Sequence, residues 1–182
     1  MKTLLLGLGN PILTDDSVGI RLATDIPARL GGLPGVDVVP DCSIGGLGLL
    51  DVLSGYDRVI VLDSIRTAGG VPGDWHRFTA ESLRETIHLS NIHDANFATA
   101  LELGRRMGRP LPSDGEIHVL AVEVEENATF GEALSPRVAA AYPRILEEIA
   151  AEVRGILESP PVLTPRGPCS RREGTRSCGS ET

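Results

Sequence analysis

The sequence predicts an α/β domain, a mainly parallel, twisted, five-stranded sheet between two helical layers, that is, a three-layer α/β/α sandwich. Two observations lead there. Apolar segments of strand length alternate with segments of helical periodicity, the order expected of βαβ units. The central runs, residues 3–8 and 59–62, are apolar almost without interruption, as in strands covered on both faces. With 182 residues, 41% of them hydrophobic, the chain has enough material for one core.

The elements follow in order. Residues 3–8 read as the first strand, and the turn Gly7-Leu8-Gly9-Asn10-Pro11 leads into a helix over 17–30. There Val18, Ile20, Leu22, Ala23, Ile26 and Leu30 recur at roughly helical spacing, and Pro27 should end or kink the helix. Residues 36–39, 58–65, 75–78 and 116–124 carry strand character, and 47–53 reads as a short helix. A further helix is expected over 95–107 with Asp94 as its N-cap. Ser135 as N-cap and Pro136 at the first position open the last helix, running to about Leu157, which Pro143 should kink or split. From Ser159 the composition turns to Pro, Gly, Ser and Arg, with no large apolar residue after Leu163. Residues 1–159 are therefore expected to form the single domain and 160–182 a disordered C-terminal tail.

Charge and cysteines narrow the function. The chain carries 25 Asp and Glu against 17 Lys and Arg, a net charge of −8. The tail holds four Arg and two Glu, so the first 159 residues are more acidic still, which disfavours nucleic acid as a partner. No apolar run approaches the ~18 residues of a membrane span, and the apolar start is broken at once by Gly and Asn-Pro. The expected location is the cytoplasm, the expected state a monomer. Cys42, Cys169 and Cys178 are too few and too scattered for a disulfide framework.

The richest chemistry lies in Leu6–Gly19, where a buried strand gives way to a helix with Asp15 and Asp16 at the junction. Strand ends are where α/β folds gather their sites. A dinucleotide fingerprint fails here, because Ile12 stands where the third glycine belongs and Asp41 follows much later than the expected ~20 residues. Two acids in the positive field of a helix N-terminus repel phosphate and attract a cation. Asp63 ends the third strand and His93 precedes the helix expected from Asp94, so Asp16, Asp63 and His93 could converge on one crevice. Two carboxylates and an imidazole suit a borderline divalent ion such as nickel, zinc or manganese, and three protein ligands leave positions for an external one. Taken singly each has a plainer role: a helix cap for Asp16, a loop anchor for Asp63, a surface histidine for His93.

Other groups carry less. His118 lies in an apolar strand and reads as satisfied or surface-facing; His76 and His88 have no acidic partner at an informative spacing. Cys42 reads first as a small buried residue and as a nucleophile only if a histidine lies beside it. No Gly-x-Ser-x-Gly elbow is present.

These residues resemble the nickel-iron hydrogenase maturation endopeptidases, which remove a C-terminal extension from the hydrogenase large-subunit precursor after nickel insertion. The resemblance covers residues 1 to about 155. It rests on Gly7-Leu8-Gly9-Asn10-Pro11, Thr14-Asp15-Asp16-Ser17-Val18-Gly19, Val61-Leu62-Asp63-Ser64, Ser90-Asn91-Ile92-His93-Asp94 and Gly131-Glu132-Ala133-Leu134-Ser135-Pro136. It implies that Asp16, Asp63 and His93 form the catalytic and metal-binding site and recognise the nickel of the substrate. In isolation a cation such as zinc, nickel or cadmium would occupy that site. An aspartic-type use of Asp16 and Asp63 is a variant that needs the two carboxyls in contact. The chain departs from the family at Asp41-Cys42-Ser43-Ile44, where an Asp-Gly-Gly-Thr turn is usual, and at Ser17, which replaces a common glycine.

Two rival functions come from other classes. Peptidyl-tRNA hydrolases also open with a strand and Gly-Leu-Gly-Asn-Pro, but continue with a Tyr and a Thr-Arg-His-Asn segment, whereas this chain has Thr14-Asp15-Asp16-Ser17 and an acidic surface. A nickel-binding chaperone that holds the immature subunit without cutting it would use the same three residues.

Overall fold

The computed structural model describes residues 1–44, 46–85 and 92–161; the side chains of 83–85 and 92–96 lie outside the description. Five strands form one sheet: β1 (Thr3–Leu8), β2 (Val36–Cys42), β3 (Arg58–Ile65), β4 (Trp75–Thr79) and β5 (Ile117–Glu123). The order is β2-β1-β3-β5-β4, parallel throughout except for β4, which pairs antiparallel with β5 at one edge. The helices are α1 (Val18–Arg29), α2 (Leu49–Leu53), α3 (Ala80–Glu85), α4 (Ile92–Arg106) and α5 (Pro136–Glu158). This is the expected three-layer α/β architecture with its mainly parallel sheet.

The strands split their side chains between two cores. Leu4, Leu6, Val59, Val61, Val119 and Ala121 face Leu49 and Leu53 of α2 and Phe97 and Leu101 of α4. Leu5, Ile60, Leu62, Leu120 and Val122 face Leu22 and Ile26 of α1 and Ile145, Ile149 and Val153 of α5. β3 is buried at all eight positions and β5 at all seven, which is why their sequences run apolar without alternation.

Several elements differ from expectation. β2 runs on through Pro40 to Cys42, with a register shift between Leu6 and Leu8 of β1. A proline is tolerated there because β2 is an edge strand and the shift relieves the ladder. Pro27 lies inside α1, which ends two residues later at Arg29. Pro143 sits inside α5 without dividing it, since the buried stripe Val138, Ile145, Ile149, Val153 and Ile156 holds the whole helix to the sheet. α4 begins at Ile92, so Asp94 lies in its first turn and is not its N-cap. Ser135 occupies the N-cap position of α5, but its hydroxyl makes no capping bond. α3 was not expected. Of the tail, residues 162–182 lie outside the described part.

The connections define where a site can form. From β1 the chain passes through α1 to β2, on the side of the sheet that α5 also covers. From β3 it proceeds in the opposite direction, towards β4 and β5, through helices on the other face. The strand order therefore reverses between β1 and β3, and ligand sites of open α/β sheets form at the carboxyl ends of such a pair.

Candidate active site

Asp16 follows β1 in a 3-10 turn over Asp15–Ser17, and Asp63 lies near the end of β3. Both are buried, with 4% and 6% of their surface exposed. Glycines put Asp16 there. Gly9, at φ 136°, lies so close to the Asp16 carbonyl that any Cβ would collide with it. A Cβ on Gly19 would strike the carbonyls of Leu8 and Leu62, so that glycine lets α1 begin directly against the ends of β1 and β3. The Gly-rich segment thus serves close packing of backbone on backbone.

Ser64 joins the two carboxylates. Its amide donates to Asp63 Oδ1 at 2.7 Å, and its hydroxyl donates to Asp16 Oδ1 at 2.8 Å. In the sequence Ser64 stands out only as part of the Val61-Leu62-Asp63-Ser64 motif, because a bond across 48 residues leaves no local signal. The bridge sets the two acids on either side of the topological switch point and orients one oxygen of Asp16.

Asp15 has a different task. It is fully buried, and its carboxylate accepts the amides of Glu126 at 3.1 Å and Ser135 at 2.6 Å. It therefore clamps the loop between β5 and α5, from Glu126 to the Ser135 amide at the start of the last helix, so the adjacent acids do not act as a pair toward a cation. The β1–α1 loop is tied to the same segment by Thr14, whose amide and hydroxyl both donate to the Thr129 carbonyl, and by a bridge between Leu13 and Phe130.

His93 is the second residue of α4, but its side chain lies outside the description. Gly55, before β3, donates to the carbonyl of Pro110, shortly beyond α4, so that helix ends near the amino edge of the sheet. Running against the strands, it starts at the carboxyl edge, where Asp16 and Asp63 lie. Among the described residues no three His, Cys, Asp or Glu groups stand close enough to hold a metal ion. The ligand set expected from sequence thus depends on His93.

The remaining candidates resolve as follows. Cys42 is buried against the core, and burial pushes its thiol up, away from a reactive thiolate. His118 is buried with no partner for Nδ1, neither satisfied nor surface-facing. Burial above all, with Arg77 and Arg58 nearby, lowers its pKa to about 4, so the ring is neutral at pH 7. His76 does have an acidic neighbour, Glu123, 47 residues away in sequence and 3.6 Å away in space. His88 lies outside the described residues.

Buried carboxylates joined at the switch point of a mixed sheet mark the candidate site of an α/β protein, and similarity to known proteins names its class. Residues 21–152 match the hydrogenase maturation protease family, and the chain belongs to that family. It is 26% identical over 156 residues to the hydrogenase 2 maturation protease of Escherichia coli (strain K12), covering 85% of this chain and 92% of that protein. The hydrogenase maturating endopeptidase HybD from E. coli superposes with a TM-score of 0.67 at 24% identity, over 85% of this chain and 93% of that one. The nickel-iron hydrogenase maturation protease HybD from Thermococcus kodakarensis gives 0.64 at 26% identity, over 84% and 99%. The protein is a protease of this family.

Proposed function

We propose that this protease removes the C-terminal extension of a nickel-iron hydrogenase large-subunit precursor once nickel has been inserted. Asp16, Asp63 and His93 form the cleft that senses the substrate's nickel and cuts the chain. The observation that carries the reading is the Ser64 bridge, which sets two buried carboxylates side by side at the switch point, with the helix bearing His93 starting at the same edge. Oxygen donors with one imidazole suit a borderline divalent ion, and such a set leaves coordination positions for ligands from another protein. No serine or cysteine nucleophile is needed if a carboxylate orients the attacking water.

The rim of the cleft suits a protein substrate. Ile12, Ile44, Leu47, Val71 and Phe130, all on segments that leave the carboxyl ends of strands, are between 52% and 77% exposed. Large apolar side chains exposed on segments that leave this edge are the kind of surface that favours a macromolecular partner over a small metabolite. No helix among the described residues is long and apolar enough to cross a membrane.

The test is the mass of the precursor's C-terminus after incubation with the purified protein, with free metal chelated. Nickel-loaded precursor should lose its extension and nickel-free precursor should not, because only the loaded form docks with the scissile bond in place. Equal cleavage of both would remove nickel sensing. Binding of the loaded precursor without cleavage would favour a chaperone.

A further inference from the structure

Two loops at the carboxyl edge are joined beside Asp16. Residues 126–135, between β5 and α5, lie against the loop that leads from β1 into α1. At the ends of this segment the Asp15 carboxylate holds the Glu126 and Ser135 amides, and the Asp15 amide donates back to the Glu126 carbonyl at 3.1 Å. In the middle, Leu13 and Phe130 face each other in an antiparallel bridge. The Thr14 amide donates to the Thr129 carbonyl at 3.0 Å on one side of them, and the Gly131 amide to the Ile12 carbonyl at 3.1 Å on the other. Arg21 adds a bond to the Glu132 carbonyl.

A pair flanked in this way is a non-hydrogen-bonded pair, whose own N–H and C=O groups turn away from the opposite strand. Those of Leu13 are used inside its loop, where the amide donates to the Asn10 carbonyl and the carbonyl accepts from the Ser17 amide. Those of Phe130 turn to the outer side and meet no partner among the described residues. Its neighbours differ: the Ala128 amide donates to Glu126 Oε1 at 2.8 Å, and the Glu132 carbonyl is held by Arg21. The Phe130 residue is 77% exposed, so the bonds that fix this segment bury little of its ring. One residue thus offers a donor, an acceptor and an aromatic surface, all outside the core, on a backbone already held in place.

The position suits a polypeptide on its way to the cleft. A non-hydrogen-bonded pair sets its Cα atoms about 4.5 Å apart, and one turn from Leu13 to Asp16 spans less than about 7 Å. Phe130 therefore stands no more than about 12 Å from Asp16, the reach of roughly three or four extended residues. Extended peptides add to exposed strand edges through main-chain hydrogen bonds, with side-chain contacts for selection. An edge fixed beforehand lowers the ordering cost of that pairing.

We propose that Phe130 is a substrate-binding residue of this protease. An extended stretch of the large-subunit precursor, roughly three or four residues from the bond that is cut, exchanges hydrogen bonds with the Phe130 N–H and C=O and lays an apolar side chain on its ring. The inference rests on cleavage at the Asp16–Asp63 cleft, as in the proposed function, and places the substrate's approach on the Asp16 side. Phe130 acts on binding and the two acids on chemistry, so they separate in kinetics.

Two measurements test it: cleavage of nickel-loaded precursor by wild type and Phe130→Ala, and hydrogen exchange of the Phe130 amide in Asp63→Asn with and without that precursor. Phe130→Ala should melt at the wild-type temperature and raise KM about tenfold with kcat within about threefold, the loss expected on truncating an aromatic anchor. The Phe130 amide should exchange freely in the protein alone and at least about tenfold more slowly in the complex. While wild type cleaves, a KM rise below about threefold or an unprotected amide overturns the inference and leaves the proposed function standing. Protection that appears in the protein alone as its concentration rises assigns the edge to a second copy and also overturns it. If wild type does not cleave, the proposed function fails, and the exchange measurement decides alone. Protection by the precursor then supports the pairing, and its absence overturns it.

Discussion

The two ends of the sheet each bury charge, and they handle it in opposite ways. At the amino end Arg58, 1% exposed, donates to Glu116 at 2.5 Å, to the Ile156 carbonyl at 2.5 Å and to the Ser159 carbonyl at 3.1 Å. A cation there meets an anion and the carbonyl end of α5, where the helix dipole favours it. At the carboxyl end Asp16 and Asp63 are bridged by a serine, a neutral donor that cancels no charge. Buried charge is costly unless paired or bound to metal. At the amino end a buried cation meets a buried anion directly, whereas at the carboxyl end the link between the two acids is made by the neutral hydroxyl and amide of Ser64.

The comparison can be broken most forcefully at Arg58. Arg58→Met should destabilise the protein by about 3–5 kcal/mol, because it removes the guanidinium that pairs with the buried Glu116 carboxylate and with the end of α5. The folded fraction should still cut its substrate. Urea unfolding and cleavage per folded molecule measure the two effects, and a loss of activity beyond the loss of folded protein would contradict a purely structural amino end.

His118, near the same cluster, gives a smaller effect that depends on pH. Its pKa of about 4 in the folded state lies below the ordinary 6.5, so the unfolded chain takes up the proton first as pH falls. Its contribution is fully present above about pH 6.5 and is lost between there and pH 4, amounting to at most about 3 kcal/mol. Urea unfolding at pH 7, 5.5 and 4 should show that loss, and His118→Phe should flatten it.

Ser64→Ala should have the mildest consequence, roughly 1 kcal/mol of stability for the lost hydroxyl bond. Cleavage should fall about tenfold, ~1.4 kcal/mol, because Asp16 loses the donor that orients it. Activity unchanged beyond twofold would show that the bridge does not set the geometry of the acids.

The sequence disclosed what local chemistry controls. Unbroken apolar runs marked β1 and β3, and the turn Gly7-Leu8-Gly9 with the strand ending at Asp63 marked the carboxyl edge of the sheet. Contacts between distant segments were not legible. Asp15 reads as a helix-terminal acid but holds Glu126 and Ser135, more than a hundred residues away. The Ser64 bridge and the nearness of Glu123 to His76 follow from strand order and register, which no short window contains. Pro143 does not split its helix for a related reason: its penalty is local, while the apolar stripe that outweighs it spans all of α5. α3 escaped because Ala80-Glu81-Ser82-Leu83-Arg84-Glu85 is too short for a clear period and follows β4 directly.

The most direct test places one variant from each end in the same assay: the C-terminal mass of nickel-loaded large-subunit precursor after incubation with Asp63→Asn or with Arg58→Met, normalised to folded protein. Asp63→Asn keeps the shape of the side chain and removes its charge. It should melt within a few degrees of wild type and lose cleavage at least a thousandfold, while Arg58→Met cleaves at close to the wild-type rate per folded molecule. Normal processing by a folded Asp63→Asn protein would contradict the assignment of the carboxyl-end cleft as the active site.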